Sequence, residues 1–388
     1  MVDRRQFRDL SHYGLAVASE VVAPALRVLA RAASRSGSVS PQQWRTGLIL
    51  GNGHIGDVLY LTCSLDLLKR GLPRCDWSYL TTASAGAALA GNPSLAEVLP
   101  WSLDTDAQPL GQGRYGQLAD RQFDVALCSD NVAHHRALLL ALKLGIPNRV
   151  AFTRKGLSGL VTEGVQLTGA MSHPAAFRRM VEWITGVHDT SPLRPHIFPS
   201  ISNTYAAECE WARMNMNDAE FVINCSVTTR QTIGDCPPGL FADILRRALD
   251  MAPRARVVLT GVAGDRSLLN SIALELGERA AVSAGVLPVL AYGALLRRCA
   301  VFIGTDSGSR HLANAAAIPV FFVRNMGTTA IETGAYCPTE TDIAPPGEYL
   351  SPPAMRTALN DVDRDAVANA LVAAARGQVR DKPADMPR

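Results

Sequence analysis

The chain has 388 residues, too many for one ordinary hydrophobic core, so two domains of about 150 residues are the natural division. An apolar content of 47% excludes a disordered chain. The formal net charge of only +3 excludes the global basic field of a nucleic-acid-binding protein.

Residues 14–33 (GLAVASEVVAPALRVLARAA) are apolar but interrupted by Glu20, Pro24, Arg27 and Arg31, which rules out a bilayer span and a clean signal peptide. Leu15, Ala18, Val22, Ala25, Leu26 and Leu29 share one helical face, with the arginines off it. The expectation is a helical arm packed on the protein through that face; a membrane-surface helix is the alternative. From Thr46 the pattern alternates strand and helix: strand 47–50, helix 55–70, strand 76–80, strand 125–129 and helix 134–144. Such repetition gives a parallel sheet covered on both faces. The polar, glycine-rich stretch 102–121 reads as a long loop. Residues 190–200 (TSPLRPHIFPS) hold three prolines and read as the domain linker. Beyond it, strands are expected at 221–224, 256–259, 301–304 and 319–323, with helices at 240–251, 266–276, 289–298 and 361–376 and a frayed tail from Gly377.

Eight cysteines show no CxxC spacing, which argues against a zinc site. Several (Cys63, Cys128, Cys299) fall inside apolar runs, as buried thiols of a reducing cytosol do. Apart from Lys69, Lys143, Lys155 and Lys382, all the positive side chains are arginines, a side chain suited to phosphate and carboxylate.

Two segments carry the chemistry. Each, GLILGNGHIGDVLYLT (47–62) and VFIGTDSGSRHLANAAAIPVFFV (301–323), is an apolar run, a small polar turn and a helical pattern. That is how an α/β protein sets a polar site at the carboxyl end of a strand, and two of them suggest a cleft between two domains. Gly51, Gly53 and Gly56 spell the GxGxxG of a dinucleotide fold, but that fold needs an acid at the end of the second strand, where Thr81 and Thr82 stand. In the other reading the glycines let the backbone turn, and Asp57 in the first helical turn takes a proton from an attacking hydroxyl; a simple helix-dipole role stays open beside it. In the second segment, amides from Gly308 to Arg310 offer a diphosphate site that needs no lysine. Asp306 is placed to hold sugar hydroxyls, and His311, one turn in, is either a ligand group or structural. Thr228, Thr229 and Arg230 offer hydroxyls and a guanidinium to phosphate. Asp265, beyond Gly261, binds ribose or caps a helix, and Leu290 faces a base or the core.

At these residues the chain resembles glycosyltransferase family 9, the ADP-heptose:lipopolysaccharide heptosyltransferases, from about Gly47 to Gly334. The resemblance is most specific at Gly56-Asp57-Val58 and at Asp306-Ser307-Gly308 with His311-Leu312-Ala313; Asn92-Pro93, 98–101, 131–138, 145–152 and 257–261 support it. It implies a GT-B fold, two Rossmann-like parallel-sheet α/β domains facing a cleft. The divisions are then an N-terminal helical extension (1–45), an acceptor domain (46–190), a linker (191–200), a nucleotide-sugar domain (201–350) and a C-terminal helix and tail (351–388). Asp57 would be the catalytic general base of an inverting transfer with no metal and no cofactor. The donor, foremost ADP-heptose, would contact Thr228, Thr229, Arg230, Gly261, Asp265, Leu290, Asp306, Ser307, Gly308 and His311. An anionic cell-envelope glycolipid such as the lipopolysaccharide core would be the acceptor, near His54, Arg136 and Arg154, with Arg149, Lys155, Arg178 and Arg179 as further basic candidates. The expected place is the bacterial cytoplasm, peripheral on the inner face of the membrane. Two stretches depart from the family pattern: 231–238 (QTIGDCPP) lacks a lysine and a tryptophan, and 324–329 (RNMGTT) replaces a Gly-Pro-Thr-Asp type turn. A nucleotide-sugar epimerase, a non-catalytic nucleotide-sugar binding protein and an NAD-dependent oxidoreductase remain the alternatives.

Overall fold

A computed structural model describes residues 10–34, 37–101, 112–130, 133–167, 169–229, 236–324, 330–345 and 352–381. The chain divides into two compact units between Ser191 and Pro192.

Unit 1 contains β1 (Thr46–Leu50), β2 (Asp76–Thr81), β3 (Glu97–Pro100), β4 (Val125–Cys128), β5 (Asn148–Phe152) and β6 (Glu163–Val165). They form one sheet in the order β3-β2-β1-β4-β5-β6, and every pairing is parallel. Its helices are α1 (Leu10–Val21), α2 (Ala23–Ala33), α3 (Ile55–Thr62), α4 (Leu65–Gly71), α5 (Ala83–Gly86), α6 (Gln112–Ala119), α7 (His134–Lys143) and α8 (His173–Thr185). Unit 2 repeats the plan with β7 (Val222–Ser226), β8 (Arg256–Gly261), β9 (Ala280–Ala284), β10 (Val301–Thr305), β11 (Val320–Val323) and β12 (Glu340–Asp342). The order there is β12-β11-β10-β7-β8-β9, again wholly parallel. Its helices are α9 (Ile201–Arg213), α10 (Pro238–Met251), α11 (Arg266–Leu276), α12 (Val289–Leu296), α13 (Gly308–Ala315), α14 (Ala330–Thr333), α15 (Pro352–Leu359) and α16 (Arg364–Asp381).

Both sheets have the doubly wound order in which the connection reverses beside the first strand. A crevice therefore opens at the strand carboxyl ends between β1 and β4, and again between β7 and β10. Central strands are buried along their length, β4, β5, β7 and β10 completely, as a sheet covered on both faces requires. The edge strands β3, β6, β9 and β12 are short and partly exposed, so their residues carry little apolar signal.

Several elements differ from the sequence expectations. The helix expected over 55–70 is two, because Ser64 leaves helical geometry at φ −138°. The stretch read as a long loop contains α6, while 102–111 lies outside the described residues. The last helix continues through Gly377 to Asp381 rather than fraying there. The N-terminal arm breaks into α1 and α2, with Pro24 in the first turn of the second helix. Its packed face is also not the expected one. Of the expected face Leu26 does pack on the core, and the side chain of Leu15 lies outside the described residues; but Ala16, Ser19, Ala23 and Ala30 are buried, whereas Ala18, Val22, Ala25 and Leu29 are exposed. Small residues win because the arm lies close to the backbone of 156–160: a Cβ at Gly159 would collide with the Ala23 carbonyl and Leu26, and Glu20 accepts from Ser158 N at 2.8 Å and Oγ at 2.6 Å. Among the described residues no helix is long and apolar enough to cross a membrane.

Gly47 shows how closely β1 is packed. A Cβ there would overlap the ring of Trp77, which is fully buried and cannot retreat. Gly47→Ala is expected to destabilise unit 1 by about 1–3 kcal/mol, read as a lower midpoint in urea; an unchanged midpoint would mean that β1 and β2 sit further apart.

Candidate active site

In unit 1 the chain leaves β1 through Gly51-Asn52-Gly53-His54 and enters α3. Gly51 is required by close approach, since a Cβ would strike the ring of buried Tyr79. The turn is pinned from the end of β2: Thr81 Oγ1 donates to the Asn52 carbonyl at 2.6 Å and Thr82 Oγ1 to the Gly53 carbonyl at 2.9 Å. Where a dinucleotide fold needs a ribose-binding acid, this chain thus has two hydroxyls donated to its own glycine turn. Asp57 lies half-buried in the first turn of α3, with His54 exposed at the N-cap position. Burial, and then the charge of Asp57, push the Tyr79 phenol well above its ordinary pKa, so the two side chains are in electrostatic reach. Among the described residues the Tyr79 hydroxyl has no hydrogen-bond partner.

The end of β4 lies on the other side of the same crevice, tied to β1 by Ser129 Oγ donating to the Leu50 carbonyl at 3.2 Å. Buried Asp130 follows, with Arg154 Nη2 at 2.6 Å, Lys155 Nζ at 3.5 Å and His173 Nδ1 at 3.3 Å. Burial alone would raise its pKa, but Lys155, the His173 hydrogen bond and Arg154 outweigh it and hold the carboxyl well below the usual range. Arg154 therefore arrives at the site already paired. Arg136 is exposed on α7, while Arg149 is turned into the protein at 2% exposure. Arg178 donates to the carbonyls of Asp189 and Ser191, and Arg179 lies 3.9 Å from Glu182.

In unit 2 the ends of β7 and β10 are joined by Thr305 Oγ1 donating to the Thr228 carbonyl at 3.1 Å and by Ser226 Oγ to Ser309 Oγ at 3.2 Å. Thr228 Oγ1 donates to Asp265 Oδ2 at 2.8 Å, and the same oxygen accepts from Val262 N at 2.8 Å. Asp265 is thus committed to the turn after Gly261. Thr229 is half-buried beside Thr228; Arg230 lies outside the described residues, as do most of 231–238 and of 324–329. Leu290 is buried at the start of α12. Asn224 Oδ1 accepts from Tyr292 Oη at 3.0 Å and Thr260 Oγ1 at 3.1 Å, a polar cluster inside the sheet.

The N-terminus of α13 faces the crevice half-exposed at Gly308 and Ser309. Ser307 occupies the N-cap position but makes no capping bond, which leaves the first amides open to a ligand. The amide of Arg310, expected to join them, is instead held by the Ser307 carbonyl at 3.1 Å. Asp306 is set by the side chain of Arg310, which the sequence reading missed. Its guanidinium is wholly buried and meets Asp306 Oδ1 at 2.8 Å, Glu340 Oε1 at 2.5 Å and the carbonyls of Thr333 and Gly334 at 2.8 and 2.6 Å. It stacks on Phe322, 3.5 Å from the ring centre. His311 points into this network: its Nδ1 meets Tyr336 Oη at 2.8 Å and its Nε2 lies 3.8 Å from Asp306. Burial, then Arg310, hold its pKa well below the ordinary value, so it stands neutral beside Asp306. Among the described residues no three His, Cys, Asp or Glu side chains converge as metal ligands.

No protein-family model matches the sequence, and no curated protein is similar to it in sequence. Solved structures do share its fold. A glycosyl transferase family 9 protein from Veillonella parvula superposes with a TM-score of 0.72 at 15% identity, over 90% of this chain and 100% of its own. ADP-heptose lps heptosyltransferase II of E. coli gives 0.66 at 18% identity, over 86% and 99%. E. coli heptosyltransferase WaaC, solved with ADP, gives 0.65 at 13% identity, over 85% and 99%. The fold is thus GT-B, two Rossmann-like units in one chain, as the resemblance implied.

His134, beside the Asp130 cluster, sets a pH limit. Its Nε2 meets the Gly156 carbonyl at 3.0 Å, and burial, then Lys155, lower its pKa from 6.5 to about 4. Below the unfolded value the unfolded chain takes up a proton that folded His134 refuses, so stability falls as pH drops from 6.5 toward 4. The expected loss is about 3 kcal/mol, seen by urea denaturation at a series of pH values. A His134→Gln variant with an equally steep fall would contradict this origin.

Proposed function

We propose that the protein is an inverting, metal-independent glycosyltransferase that moves a sugar, foremost heptose from ADP-heptose, to an anionic cell-envelope glycolipid or glycan. The observation that carries this reading is that each unit presents a complementary chemistry at its strand-reversal crevice. Unit 1 offers a carboxylate, Asp57, and unit 2 offers open helix amides at Gly308 and Ser309. A fold shared with a heptosyltransferase solved with ADP supports the choice of nucleotide.

In the proposed reaction an acceptor hydroxyl attacks the anomeric carbon from the face opposite the nucleotide. As the new carbon–oxygen bond forms, the bond to the nucleoside diphosphate breaks, and Asp57 takes the hydroxyl proton. Charge growing on the departing diphosphate is met by the amides and dipole of α13. Thr228 and Thr229 line the phosphate side, and Asp306, oriented by Arg310, faces the sugar. The ribose and base lie toward Gly261, Asp265 and Leu290. Such an enzyme works in the bacterial cytoplasm, peripheral to the membrane face that carries its acceptor; His54, Arg136 and the Arg154–Asp130 cluster are the acceptor-side groups.

Asp57→Asn keeps shape and removes the base, so turnover with ADP-heptose and acceptor is expected to fall roughly 10²–10⁴-fold while ADP affinity is unchanged. Near-normal turnover would remove Asp57 from the mechanism. Conversion of the donor without any acceptor would point to an epimerase, donor binding with neither transfer nor hydrolysis to a binding protein, and a melting shift by NAD(H) alone to an oxidoreductase.

A further inference from the structure

Unit 1 holds a second place suited to an anion, on the side of β5 and β6 that is covered by the N-terminal arm. Helix α2 rests on the 3-10 turn Ser158–Leu160 through Ala23 and Leu26, against Gly159. Alongside that contact lies a cavity of about 950 Å3. Three arginines line it: Arg27 and Arg31 from the exposed flank of α2, and Arg149 from β5. Hydroxyls of Ser34, Ser38 and Thr162 lie on its wall, and among the described residues no Asp or Glu does.

Arg149 is the informative member. It is 2% exposed, yet its guanidinium meets only neutral oxygens: the Leu160 carbonyl at 2.6 Å, Ser34 Oγ at 3.1 Å, the Pro147 carbonyl at 3.4 Å and the Ile146 carbonyl. Among the described residues no carboxylate pairs with it, with Arg27 or with Arg31. A buried cation without a counter-ion is costly to hold, and burial already bears against its charge. Arg310 in unit 2 shows the ordinary solution, two carboxylates on one guanidinium. Around Arg149 the opposite arrangement stands: two more cations and an open volume.

We infer that this cavity binds a phosphate-bearing polar molecule of roughly sugar-phosphate size, whose anionic group sits between Arg27, Arg31 and Arg149. Guanidinium pairs take phosphate oxygens two at a time, and the hydroxyls suit the polar remainder. The volume is far larger than a lone ion needs and falls in the range of organic-ligand sites. The phosphate is carried either by a soluble sugar phosphate or by a lipid headgroup. The site lies wholly in unit 1 and requires nothing of the nucleotide chemistry proposed for unit 2.

The test uses the full chain and two variants, Arg27→Gln/Arg31→Gln and Arg31→Glu. Both change exposed side chains outside the proposed catalytic machinery. One arm titrates glucose 6-phosphate against glucose by calorimetry. The other measures co-sedimentation with phosphatidic acid/phosphatidylcholine vesicles against pure phosphatidylcholine. Saturable binding of the phosphate-bearing probe in at least one arm is expected, weakened about tenfold or more in both variants, with unchanged melting temperature. The arm that responds identifies the carrier. No binding in either arm, or equal binding by the variants, overturns the inference. ADP titrated in parallel keeps a failure here separate from a failure of the unit 2 reading, since neither variant is expected to alter it.

Discussion

Burial of the Arg310 guanidinium is the constraint on which the geometry at the end of β10 and the start of α13 depends. A wholly buried cation is tolerated only where opposite charge and hydrogen bonds surround it, and Asp306, Glu340 and two carbonyls do so here. The consequence for Asp306 is positional. It cannot swing away from the end of β10 without abandoning that charge. Glu340, on edge strand β12, also accepts from Asn314 Nδ2 at 2.7 Å and from the amides of Tyr336 and Cys337 at 2.7 and 3.0 Å. One carboxylate therefore joins β12, α13 and the 336–337 turn. With α13 held this way, its first amides keep a fixed direction, which is what preorganised stabilisation of a departing diphosphate needs.

Unit 1 reaches an equivalent rigidity by other means. The glycine turn before Asp57 is pressed against Tyr79 and tied by Thr81 and Thr82 to the end of β2. The charge-rich hub of this unit is Asp130, displaced by one strand, with Arg154, Lys155 and His173 around it. The two halves thus share a topology but place their buried charges differently, one around Arg310 behind α13 and one around Asp130 a strand away from Asp57.

Much of this was readable from residues. The central strands β1, β4, β7, β8, β10 and β11 announce themselves as apolar runs because both faces are buried, and the turns after β1 and β10 stand out by composition. The edge strands β3, β6, β9 and β12 do not, since partly exposed strands of three to five residues have little periodicity to read. Arg310 escaped notice because an arginine four residues beyond Asp306 looks like a solvated helix residue until β12 brings Glu340 to it. Asp265 and His311 could each be read two ways from position alone, and their bonds to Thr228 and Tyr336 exist only once distant segments meet. The packed face of the N-terminal arm was misjudged for a related reason. Close approach to glycine selects alanine and serine, so most of the larger apolar side chains, Leu26 excepted, face outward.

The central claim is that the amino end of α13 receives a nucleoside diphosphate. A crystal structure of the chain grown with ADP tests it most directly. The diphosphate is expected within hydrogen-bonding distance of the amides of Gly308 and Ser309, with the adenosine toward Leu290. Density for ADP at the glycine turn 51–53, with α13 left bare, would contradict the account.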